Sequence, residues 1–199
     1  MFVKICGITN REDALAAAEA GATALGFIFY DRSPRSVKPA ELAQWIGDLP
    51  AGIRKVGVYV NESPARIEQI SAELGLDTAQ LHGSETPDLH PRGLHVWKAM
   101  RVMPEMKSIP EYPAEAVLLD GPGSGKVFDW SLAASLQGNV ILAGGLTPEN
   151  VAIAIETVRP WAVDTASGVE ASPGRKDHGR MKAFIEAALF AAHTENRKP

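Results

Sequence analysis

Residues 2–29, FVKICGITNREDALAAAEAGATALGFIF, contain one complete strand–helix–strand unit. The run 2–6 is short and largely apolar and reads as a strand, with Lys4 and Cys6 on the same face. Thr9-Asn10 opens a helix over 11–20, and Gly21 closes it. A second apolar strand follows at 24–29. Strands joined by a crossover helix pair in parallel. Apolar side chains on both faces mean that such a sheet is covered on both sides.

The unit repeats along the chain. Further strands are predicted at 53–60, 78–82, 95–100, 115–120, 139–143 and 161–165. A helix is predicted over 39–46, opened by Pro39. Ser63-Pro64 caps the next, with Ile67, Ile70 and Leu74 on one face. Prolines limit 85–93 and 104–110 to short helices, and 129–136 reads as another short one. Thr147-Pro148-Glu149 is read as the cap of the seventh helix. The last helix, 177–193, carries Met181, Phe184, Ile185 and Ala188 at helical spacing. Eight such units predict an α/β fold, a single (β/α)8 TIM barrel with abbreviated helices after strands 4 and 5. An open flavodoxin-like sheet needs only five or six strands. The expected domain is 1–199, with a frayed tail at 195–199. These barrels usually need about 250 residues, so at 199 residues the loops must be short.

Composition narrows the function. A formal net charge of −4 argues against a nucleic-acid partner. No run of 18 apolar residues is present, so no membrane span is expected. The N-terminus has no signal-peptide pattern, which makes the cytoplasm the expected location. One cysteine allows neither an intrachain disulfide nor a cysteine-based zinc cluster. Gly123-Ser124-Gly125-Lys126 suggests a phosphate-binding P-loop but fails the pattern, because Asp120 and Val127 stand where a glycine and a Ser/Thr are required.

Active sites of such barrels lie at the C-terminal ends of the strands. There the sequence sets Cys6, the loop with Arg35, His82, Asp120, Gly144-Gly145 and Asp164 followed by Ser167-Gly168. The last two turns sit after strands 7 and 8, a usual place for a phosphate. Taken singly, each residue also has a plainer reading. A lone cysteine is usually a small core residue. Asp120 could cap a turn, and Arg35 could be a solvated loop arginine. His82 reads as a rim contact or a core histidine, and Glu62 and Glu85 as solvated loop charges. As a base Cys6 must be a thiolate, with an unperturbed pKa of about 8.5. The N-terminus of the helix near Asn10 is expected to help lower it. Lys4 would line the barrel beside it.

These residues resemble the phosphoribosylanthranilate isomerase family over essentially the whole chain. Val3-Lys4-Ile5-Cys6-Gly7-Ile8-Thr9 matches its N-terminal signature. Gly26-Phe27-Ile28-Phe29-Tyr30 with Ser33-Pro34-Arg35 follows, then Gln80-Leu81-His82-Gly83 and Leu118-Leu119-Asp120. Gly144-Gly145-Leu146-Thr147-Pro148-Glu149-Asn150 and Ser167-Gly168-Val169-Glu170 complete the order. The resemblance implies an Amadori rearrangement of N-(5′-phosphoribosyl)anthranilate in tryptophan biosynthesis. It implies Asp120 as general acid, Cys6 as general base and Arg35 on the anthranilate carboxylate. Asp164 would orient the anthranilate amine, His82 would contact substrate, and Gly144, Gly145, Ser167 and Gly168 would hold the phosphate. No cofactor or metal is implied, and the enzyme is a monomer or a homodimer acting on a small phosphorylated substrate. Ala143 and Ala166 stand where many members have serine, so backbone amides carry more of the expected phosphate contact. Two rivals remain: a dual-specificity barrel that also serves histidine biosynthesis, and a barrel that has lost catalysis and acts as a binding module. The first places a carboxylate where this chain has Cys6.

Overall fold

The computed structural model describes residues 1–103, 110–121, 129–134 and 137–195. Eight parallel strands close into a barrel in sequence order. They are β1 (Phe2–Cys6), β2 (Ala24–Ile28), β3 (Arg54–Tyr59), β4 (Thr78–Leu81), β5 (His95–Arg101), β6 (Ala116–Asp120), β7 (Val140–Leu142) and β8 (Ala162–Thr165). The barrel closes where β1 pairs with β8, Lys4 opposite Asp164 and Ile5 opposite Thr165. All eight predicted strands are present, most of them trimmed by a residue or two.

Alternation along each strand divides the apolar residues into two cores. Val3, Ile5, Leu25, Phe27 and Tyr59 point outward beneath the helices. Cys6, Ala24, Val58, Leu118 and Ile141 belong to the cluster inside the barrel. Much of that inner cluster is alanine, and the large exception is Trp97, fully buried near the N-terminal end. Its indole nitrogen donates to Glu115 Oε2 at 2.8 Å, and its ring meets Trp161 edge-on at 5.7 Å. Aromatic rings therefore fill one end, and the small side chains leave room at the other.

The helices are α1 (Arg11–Glu19), α2 (Pro39–Leu42), α3 (Pro64–Leu74), α4 (Ser131–Ala134), α5 (Val151–Val158) and α6 (His178–Glu195). Asn10 caps α1 by accepting from the Asp13 amide, and Ser63 caps α3 by accepting from Arg66. On α6 Met181, Phe184, Ile185 and Ala188 are buried as the spacing predicts. Fully burying a Phe or Ile contributes about 1.5–3 kcal/mol.

Several local expectations need correction. The helix expected over 39–46 ends at Leu42, and Ile46–Asp48 is a 3-10 turn. Trp45, between them, leaves helical geometry so that its ring packs on Phe27 at 6.0 Å. After β4 only a 3-10 turn, Pro87–Leu89, stands where a short helix was allowed. Asn150, not Thr147-Pro148-Glu149, takes the N-cap position of α5. Its amide instead braces the preceding turn, accepting from the Thr147 amide and donating to the Gly145 carbonyl. A two-stranded hairpin, β9 (Glu170–Ser172) and β10 (Arg175–Lys176), was not foreseen. The predicted segment 104–110 (apart from residue 110), the Gly123-Ser124-Gly125-Lys126 loop and the tail beyond Glu195 lie outside the described residues. Among the described residues no helix is long and apolar enough to cross a membrane.

Candidate active site

The C-terminal ends of the strands surround a cavity of about 280 Å³. Cys6 ends β1 and Asp120 ends β6, three strands away around the ring through β8 and β7. Both line the cavity, together with Arg35, His82 and Asp164. Gly144, Gly145, Ser167 and Gly168 line it from the turns after β7 and β8. Every sequence-predicted site residue thus reaches one space.

Cys6 is only 6% exposed. Gly26 is needed beside it, because a Cβ there would stand 2.9 Å from the sulfur and 3.0 Å from Lys4 Nζ. Lys4, fully buried, donates to Asp164 Oδ1 at 2.9 Å. Burial works against the Lys4 ammonium, but Asp164 and Cys6 outweigh it and raise its pKa. For Cys6 burial dominates and pushes the thiol up, against the pull of Lys4. The net direction is upward, so any lowering from the N-terminus of α1 is outweighed by burial. Loss of water around the sulfur outweighs the favourable charges.

Across the cavity, His82 Nε2 lies 3.6 Å from Asp120 Oδ2. Gln80, a buried residue of β4, brings its side-chain nitrogen within 3.2 Å of His82 Nδ1. His82 therefore stands between the Gln80 side chain and the Asp120 carboxylate, bonded to the first and close to the second.

The two glycine turns touch. Gly144 and Gly145 have φ of +75° and +71°. A Cβ on Gly144 would collide with the Gly121 backbone, and one on Gly168 with the Leu146 carbonyl. Thr165 Oγ1 donates to that same carbonyl at 2.8 Å. Close-packed backbone of this kind lets amide groups approach an anion.

Arg35 does not hang in solvent. Its Nε and Nη2 grip Glu170 at 2.8 and 2.7 Å, a two-pronged pair that raises the arginine pKa and leaves the other edge of the guanidinium outside the fork. Glu170, 5% exposed at its side chain, is a site residue that residue-by-residue reading missed. Glu85 needs correction too. It is buried, accepts from Lys98 at 2.7 Å and binds the amides of Asn61 and Gly83. Only Glu62 of that pair remains partly exposed.

The family model described as N-(5'phosphoribosyl)anthranilate (PRA) isomerase matches residues 3–187. This chain belongs to the phosphoribosylanthranilate isomerase family. The N-(5'-phosphoribosyl)anthranilate isomerase of Solibacter usitatus is 51% identical, aligned over 96% of this chain and 98% of that protein. The same enzyme of Trichlorobacter lovleyi is 48% identical over 95% and 98%. Phosphoribosyl anthranilate isomerase from Thermotoga maritima superposes with a TM-score of 0.86 at 42% identity, over 96% of this chain and 99% of that one. A further isomerase structure, in complex with reduced 1-(o-carboxyphenylamino)-1-deoxyribulose 5-phosphate, gives 0.83 at 40% identity and the same coverage. In this isomerase the motif residues therefore sit on the barrel that its relatives share. Glu170 stood in the quoted motif without a role, and its partner in space, Lys176, carried no signal at all.

Proposed function

We propose that this phosphoribosylanthranilate isomerase converts N-(5′-phosphoribosyl)anthranilate to 1-(2-carboxyphenylamino)-1-deoxyribulose 5-phosphate with Asp120 as general acid and Cys6 as general base. Asp120 gives a proton to the furanose ring oxygen as its bond to C1′ breaks, and the anthranilate nitrogen lone pair forms the Schiff base. The Cys6 thiolate takes the C2′ proton, and the electron pair moves through C1′ to nitrogen, giving an enolamine. The enolamine gains a proton at C1′ and loses the one on the 2′-hydroxyl, leaving the ketone. Acid and base on two sides of one sugar supply this without a cofactor or metal.

The anchors follow the substrate's shape. Gly144, Gly145, Ser167 and Gly168 take the phosphate. The edge of Arg35 outside the Glu170 fork takes the anthranilate carboxylate. Asp164 orients the amine, and His82 contacts substrate beside Asp120. The single observation that carries this reading is the shared cavity, lined by both Cys6 and Asp120. All of these groups come from one barrel, 1–199, so a monomer suffices and a homodimer needs no shared site. Relevant to that choice, the Thermotoga maritima enzyme has been solved as monomers generated from a dimer. The chain works in the cytoplasm on a small phosphorylated substrate, without nucleic acid or membrane as partner.

The test is a fluorescence assay on freshly generated phosphoribosylanthranilate without added cofactor. Wild type turns over, while Cys6→Ala and Asp120→Asn remain folded and nearly inactive. Near-normal turnover by purified Cys6→Ala removes the sulfur from the base role.

A further inference from the structure

The β9–β10 hairpin is not part of the barrel, yet it carries a buried ammonium behind the site. The Lys176 side chain is fully buried. Its Nζ donates to three acceptors: the Cys6 carbonyl at 2.8 Å, the Ala166 carbonyl at 3.1 Å and Glu170 Oε1 at 3.0 Å. An ammonium has three N–H donors, so all are used. Each acceptor belongs to a different part of the site. One is the main chain of Cys6, one is the turn after β8, and one is the carboxylate that grips Arg35.

The hairpin itself is fastened to the start of the chain. The Lys176 amide donates to Asp13 Oδ2 at 2.9 Å, and Thr9 Oγ1 donates to the Gly174 carbonyl. His178 Nε2 lies 2.8 Å from Asp13 Oδ1. Thr9 and Asp13 lie three and seven residues after Cys6 in the β1–α1 segment, so the hairpin is tied both to the Cys6 main chain and to the chain that follows it.

We propose that Lys176 is a positioning residue that fixes the Cys6 main chain and the turn at 166–168, and that through Glu170 it also fixes the Arg35 guanidinium. The proposal rests on Cys6 as base and Arg35 as carboxylate anchor. A buried charge is costly unless every partner is in place. The three segments must therefore keep the spacing that satisfies it. Glu170 in turn receives Arg35, Lys176 and the Gly174 amide, the last at 3.2 Å, which holds the arginine in one rotamer. Cys6 is faced by Lys4 on its own strand, Asp164 on β8, Lys176 on β10 and Arg35 after β2. Of these, Lys4 and Lys176 favour the thiolate.

Two variants separate the arms. Glu170→Gln keeps the shape and leaves both carbonyl contacts of Lys176, so KM rises about tenfold while kcat stays within about threefold. Lys176→Met with Glu170→Gln removes the charge pair together, avoiding an unpaired carboxylate, and kcat falls about tenfold further. Cys6 is the sole cysteine, so iodoacetamide labelling reads it alone. In the double variant the pH midpoint of labelling moves up. Rates and a labelling profile like those of wild type in the folded double variant, with only its melting temperature lowered, overturn the proposal. If the double variant does not fold, an unchanged KM in Glu170→Gln overturns it. Failure of the base assignment would look different, as turnover retained in Cys6→Ala while labelling still responded to Lys176.

Discussion

Lys4 Nζ lies 2.9 Å from Asp164 Oδ1, and this ion pair sits inside the barrel one inward position below Cys6. The pair joins the two strands that close the ring, β1 and β8. Its ammonium is also the main group working against the upward pull of burial on the Cys6 thiol.

The pH dependence of Cys6 follows. Its pKa is raised above the ordinary thiol value, so the thiol is protonated at neutral pH and the thiolate fraction grows with pH. Iodoacetamide labelling is expected to show a midpoint above that of a free thiol, and Lys4→Met is expected to move it higher still. A midpoint at or below the ordinary thiol value contradicts the burial argument. Lys4→Met also leaves Asp164 buried without its partner, a loss of about 3–5 kcal/mol that denaturant melts will measure.

Asp120→Asn keeps the shape of the side chain and removes the proton donor. A positioned general acid contributes about 10²–10⁴-fold, so kcat should fall by that order. His82→Asn should cost far less, because its ring lies 3.6 Å from Asp120, beyond hydrogen-bond reach. Equal losses in the two variants would promote His82 to a direct part in proton transfer.

Arg35→Met removes the carboxylate anchor. A hydrogen bond to a charged group is worth about 1.5–3 kcal/mol, so kcat/KM should drop about 10–100-fold. The loss should appear mainly in KM. An unchanged kcat/KM means that another group holds the carboxylate.

Acid stability should depend on Glu85 and Glu170. Burial raises both carboxyls, but Lys98 and the Asn61 amide for Glu85, and Arg35 and Lys176 for Glu170, hold them below the ordinary 4.5. A lowered folded-state pKa gives stability that is present above the unfolded value and lost as pH falls through the folded one. Urea melts should show stability declining below about pH 4.5. Glu85→Gln should lower the neutral-pH plateau, by leaving Lys98 unpaired, and flatten that decline. An acid limb as steep as that of wild type would mean that Glu85 plays no part in it.

Gly144→Ala puts a side chain at φ +75° and against the Gly121 backbone, with Asp120 Oδ1 only 3.1 Å away. A strained backbone position costs about 1–3 kcal/mol. KM for substrate should rise with the loss of stability, because the same turn faces the cavity. A stable variant with wild-type KM would show that this turn does not hold the phosphate.

The strands were legible because each is a short apolar run bounded by turn residues, as in 24–29 and 139–143. Chain order along the ring also set Cys6, Asp120 and the glycine turns at one rim. Helix ends were less legible. Helix α2 ends at Leu42, and Trp45 beyond it packs on Phe27, a partner distant in sequence that no local pattern reveals. Asn150 was quoted within a motif, but its brace on Gly145 depends on the shape of the turn.

The sequence alone determined the eightfold alternation, the inward face shared by Lys4 and Cys6, and the residue types available to bind and move protons, since periodicity and chemistry are local properties. Only the tertiary structure decided their state. Glu85 became a buried partner of Lys98 instead of a solvated charge, and burial drove the Cys6 thiol up. Lys176 acquired a place behind the site. The reason is physical: burial and pairing depend on what surrounds a group in space, and those neighbours stand up to 170 positions away along the chain.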